Sequence, residues 1–162
     1  ACDLSICLAR NYGLKKCYPG DALNLTRKEY VDFSMKMKPY IHPRVGGVTK
    51  LSMFTDGCGQ YLKDCGYRAE FETLDGDKPY EEAEKFVKNA IERNLPVNSC
   101  IHTASIQAIV INKNKIKEGV NLEERVYLNY HTYGEALSVD FIRLWNTGMY
   151  KRGGMVALKN IK

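Results

Sequence analysis

The chain divides by the spacing of its apolar residues. Asp3 to Tyr12 predicts a short helix, with Leu4, Cys7 and Leu8 on one face and Gly13 placed to end it. Lys15 to Leu25 carries Pro19-Gly20 and reads as a loop. Thr26-Arg27-Lys28-Glu29 then fits a capping box, a hydroxyl and a carboxylate three apart that satisfy each other's orphan backbone donors. The helix behind it has Tyr30, Phe33, Ser34 and Met37 at helical spacing and is expected to stop at Pro39. A third helix, Leu51 to Cys65, shows Leu51, Phe54, Cys58, Tyr61, Leu62 and Cys65 on one face, with Thr49 as its cap and Gly66 at its end. Gly57 and Gly59 inside it each cost about 1 kcal/mol relative to Ala, which predicts close approach of another backbone.

Tyr67 to Phe71 alternates as a strand, and Asp75-Gly76-Asp77 turns into a helix opened by Pro79. Its buried stripe is Ala83, Phe86, Val87, Ala90 and Ile91. From Leu95 the period changes to two or to continuous apolar runs. Pro96–His102, Ser105–Asn112 and Glu124–Tyr130 read as strands, and Thr132-Tyr133-Gly134 as a turn. Ser138 is expected to cap a short helix through Phe141, Ile142 and Trp145, before a closing strand from Met155 to Leu158. Helices followed by strands is an α+β order. The expectation is one domain over 1–162, helical over about 1–94 and an antiparallel sheet over about 95–162.

Composition supports a folded chain: 44% hydrophobic and 27% charged is a globular profile, far from a disordered one. No apolar run approaches the roughly 18 residues of a membrane span, and no secretory signal opens the chain, so the expectation leans towards a cytoplasmic protein. The net charge of +5 gathers most visibly at Lys113, Lys115 and Lys117, a solvated hairpin tip without the interleaved aromatics that bind single strands. Nucleic acid is therefore not the expected partner. Cysteines stand at 2, 7, 17, 58, 65 and 100; a chain this size needs no staples, and most read as buried, reduced thiols. There is no Cys-x-x-Cys, and the three histidines do not complete a zinc spacing, so neither metal nor cofactor is expected.

Cysteine with histidine is the one nucleophile–base combination the sequence offers. Cys2 starts the first helix, where the helix dipole favours a thiolate. Equally, it fits a half-buried terminal residue with no role. His102, in the first strand of the sheet region, is placed to serve as a general base or as a satisfied structural histidine. His42 and His131 lie in or beside loops, and Asn129 and Asn112 are available to orient an imidazole.

Three stretches carry a resemblance. Tyr40-Ile41-His42-Pro43 with Gly46-Gly47 and the Leu51–Cys65 helix, then Asn94-Leu95-Pro96-Val97, then His131-Thr132-Tyr133-Gly134 running on through Val139-Asp140-Phe141, Leu144-Trp145-Asn146 and Gly153-Gly154-Met155-Val156, are similar to bacterial papain-like cysteine peptidases of the C39-like group. The resemblance implies a papain-like fold and a thiol-dependent hydrolase or acyltransferase acting on a peptide or amide bond. It implies Cys2 as nucleophile, His102 as base and Asn129 as orienter, with a peptide or protein ligand. In that group the Cys is typically followed by Gly-Pro and the His often by Trp; here they are followed by Asp3-Leu4 and by Thr103. A non-catalytic binding or regulatory domain on the same fold is the alternative.

Overall fold

Apolar residues at every position of a strand require cover on both faces, and Met155-Val156-Ala157-Leu158 is such a run. In the computed structural model these four are fully buried in β6 (Met155–Ile161), and they divide between two helical layers. Residues 1–43, 48, 50–93, 97–99, 105–111, 126–132, 135–146 and 153–162 are described, the strands between 97 and 138 through their backbone. Val156 and Leu158 pack with Leu4 and Leu8 of α1 (Cys2–Asn11) and with Phe54, Cys58 and Leu62 of α3 (Leu51–Asp64). Met155 and Ala157 pack the opposite way, with Ala83, Val87 and Ala90 of α4 (Tyr80–Glu92) and with Phe141 and Trp145 of α5 (Phe141–Asn146).

The sheet runs β1-β6-β2-β3-β4-β5, where β1 is Ala69–Leu74, β2 Val97–Ser99, β3 Ser105–Ile111, β4 Val126–Thr132 and β5 Glu135–Asp140. Every neighbouring pair is antiparallel. β1 and β2 flank β6 and are joined through α4 on one face of the sheet. The α+β class therefore holds. The expected split into a helical part to residue 94 and a sheet after it does not, because β1 is an edge strand of the same sheet, paired with β6 from Ala69↔Ile161 to Leu74↔Met155.

β5 is a further correction: Ser138, expected to cap a helix, lies within a strand paired opposite Asn129. Glu, Ala and Leu favour helix when alone, but the strand is fixed by its pairing along β4, a tertiary choice that local propensity does not carry. The chain then enters α5 directly at Phe141 with no linker.

α2 (Arg27–Ile41) lies outside α1 and α3 and closes a third apolar cluster of Ile6, Tyr18, Phe33 and Met37. Its expected capping box is present: Glu29 N–H donates to Thr26 Oγ1 at 3.3 Å, and Thr26 N–H to Glu29 Oε2 at 2.9 Å. The helix does not stop at Pro39. A proline in the last turn forgoes a single bond, to the carbonyl of Met35, and the helix runs on until His42, whose N–H donates to the Lys38 carbonyl at 2.9 Å. His42 leaves the right-handed region there at φ 47 and ψ 51, the left-handed conformation in which helices commonly end. α3 begins after Lys50 without a side-chain cap, and Thr49 lies outside the described residues.

Candidate functional site around Cys2

Cys2 is the first residue of α1, where unpaired backbone N–H groups and the helix dipole favour a negative charge. Its surroundings oppose that. Burial pushes the Cys2 thiol above its ordinary value and the neighbouring Asp3 carboxylate acts in the same direction. Tyr30, near the start of α2, and Cys2 both pack at the edge of the Ile6–Phe33 cluster, which brings the Tyr30 phenol near the Asp3 carboxylate. Burial first, and the Asp3 charge next, hold the Tyr30 hydroxyl protonated. Tyr30 was not legible as a neighbour of Cys2, because it belongs equally well to the apolar stripe of α2.

One turn below Cys2, Ser5 is fully buried, and its hydroxyl has no hydrogen-bond partner among the described residues. An unsatisfied buried hydroxyl costs about 1–3 kcal/mol, and Ala is the better helix former. Ser5→Ala is therefore expected to stabilise the protein by on the order of 1 kcal/mol in urea unfolding. A loss of stability would mean the hydroxyl is bonded after all.

The other sequence candidates are placed unevenly. Asn129 stands on β4, paired across to Ala108 of β3 and Ser138 of β5. His131, two residues along the same strand, pairs with Ser105 and Ala136. His102, Asn112 and Cys100 lie outside the described residues, as do Lys113, Lys115 and Lys117. His42 caps the far end of α2, twelve residues and roughly 18 Å of helix from Tyr30, so it is no partner for Cys2. It instead lines an open recess of about 460 Å³ with Met35, Lys38, Pro39 and Pro43.

α1 packs on α2 and on β3, so the helix that begins with Cys2 lies against the strand next to the one that carries Asn129. Among the described residues no group of three or more His, Cys, Asp or Glu is arranged to hold a metal ion. Nor is any described helix long and apolar enough to cross a membrane. No family model, curated protein or solved structure matches the chain.

Proposed function

We propose that the protein is a papain-like, thiol-dependent hydrolase or acyltransferase acting on a peptide or amide bond. One observation carries the reading: a cysteine in the first turn of α1 sits on a helix packed against β3, beside the strand that bears Asn129. In this reading Cys2 attacks the carbonyl and His102 takes its proton and later delivers it to the leaving amine. Asn129 orients the imidazole, and water releases the acyl group from the thioester. The imidazole has a second task here. It must offset the burial that raises the Cys2 thiol, because the thiolate is the nucleophile.

The raised Cys2 thiol specifically favours a second reading, a non-catalytic binding domain on the same fold. Alkylation with iodoacetamide across pH, mapped by peptide mass spectrometry, separates the two. A raised pKa means the thiolate fraction appears only as pH climbs past the ordinary thiol value of about 8.5. Pairing with His102 would instead give Cys2 labelling at neutral pH, ahead of every other thiol, and His102→Ala would abolish that lead. If Cys2 labels only at alkaline pH and identically in His102→Ala, the hydrolase reading is lost.

A further inference from the structure

The last strand on one side of a sheet keeps a row of backbone donors and acceptors for whatever can pair with them. β1 is such a strand. It pairs with β6, and among the described residues nothing pairs with its outer edge. The pleat sends Ala69 and Phe71 to the face covered by α3, and Leu74 to the face covered by α4. Glu72 goes with Leu74 and lines an open recess of about 350 Å³ with Phe86, Asn89, Glu92 and Arg93 of the α4 end. Phe86 is half-buried there and supplies an apolar wall. Carboxylates dominate the rim. Arg93 is already bonded to Glu72, and Lys88 to Glu84. Glu70 and Glu92 are exposed and make no ion pair among the described residues. The whole chain carries a net charge of +5, so this acidic edge is a local feature.

We propose that the outer edge of β1 is a docking site for an extended, basic segment of a partner protein, which joins the sheet as a further strand. Main-chain bonds to β1 give such a segment its affinity, and alternate side chains give it specificity. Every second side chain of the added strand falls on the α4 face, about 4.5–5.5 Å from its opposite number on β1. A lysine or arginine there lays its methylenes along Phe86 and brings its charge to Glu70 and Glu92. A second copy of this chain is a poor occupant. Two β1 strands joined edge to edge set Glu70 and Glu72 among their own kind, and the other edge strand, β5, brings Glu135 and Asp140. Carboxylates on both edges oppose self-association and leave β1 suited to a cationic strand. The recess lies on the sheet face opposite α1, so the site is separate from Cys2.

The test uses the full chain and a fluorescein-labelled peptide, Thr-Lys-Val-Lys-Val-Lys-Thr. Binding is followed by fluorescence anisotropy, and amide hydrogen exchange by nuclear magnetic resonance. The expected result is saturable one-to-one binding that slows exchange at β1 amides and leaves β5 unchanged. The same peptide N-methylated at its five central residues keeps its charge but lacks those donors, and should bind about tenfold more weakly or worse. Glu70→Lys/Glu92→Lys, with both changes at exposed positions, should weaken the unmodified peptide by about tenfold. Equal affinity for the N-methylated peptide would reduce the effect to charge attraction and overturn the proposal. No binding, or protection at β5 in place of β1, does so too. Protection of β1 that rises with protein concentration in the absence of peptide would give the edge to a second copy, and is likewise fatal. None of these readouts involves Cys2 or His102, so failure here leaves the hydrolase reading untouched.

Discussion

Gly57→Ala is expected to lower the unfolding free energy by about 2 kcal/mol or more, although Ala is better than Gly inside a helix by about 1 kcal/mol. A Cβ at Gly57 would lie 2.2 Å from the carbonyl oxygen of Tyr40 and 2.7 Å from its carbonyl carbon. Both are backbone atoms, so no rotamer change relieves the clash, and α2 must move away from α3. Moving it opens the contacts that bury Ile41, Phe54 and Met37, and it tilts the helix whose other end brings Tyr30 near Asp3. Gly59→Ala is the matched control. Its Cβ would meet Phe71 Cε2 at 3.6 Å, an ordinary contact, so the propensity gain should stand and stability rise by up to about 1 kcal/mol. Urea unfolding followed by far-ultraviolet circular dichroism measures both. A Gly57→Ala protein as stable as wild type would show that the two helices are not locked at this point.

The same pair shows how much of the fold was legible. Two glycines inside an amphipathic helix signal close approach, and at Gly57 the backbone of Tyr40 supplies it; at Gly59 none does, and the sequence has no means of distinguishing them. Local codes were readable in the same way: the Thr26–Glu29 box, the α4 stripe of Ala83, Val87 and Ala90, and the fully apolar run of β6. Features decided by partners far along the chain were not. β5 is fixed by β4, and β1 joins the sheet only because β6 returns from the end of the chain to pair with it. The candidate site follows the same rule. The helix-start position of Cys2 was evident, whereas the Tyr30 phenol and the Asp3 carboxylate that shape its environment meet through packing of α2 on α1.

Trp145→Ala is expected to cost about 3–5 kcal/mol, a large share of the roughly 5–15 kcal/mol by which domains are usually stable. The indole is fully buried on the sheet face opposite α1, in one cluster with Ala83, Val87, Ala90, Met155 and Ala157. Its ring meets Phe141 edge-on at 6.1 Å between centroids, and Nε1 donates to the Lys78 carbonyl at 3.0 Å. Its neighbours in that cluster include three alanines, whose short side chains cannot extend into the space the indole leaves, so the cavity stays open. Trp145→Phe separates the two contributions: it keeps much of the ring and leaves the Lys78 carbonyl without this donor, for a cost of about 1–3 kcal/mol. Circular dichroism is the appropriate probe, since Trp145 is the chain's single tryptophan and its fluorescence goes with it. α5 follows β5 without a linker and packs on β4 and β5, so the loss should also weaken hydrogen-exchange protection of the strand carrying Asn129. Wild-type exchange along β4 in a destabilised Trp145→Ala protein would mean that α5 anchors only α4, and that the sheet edge beside the candidate site is held by its strand pairing alone.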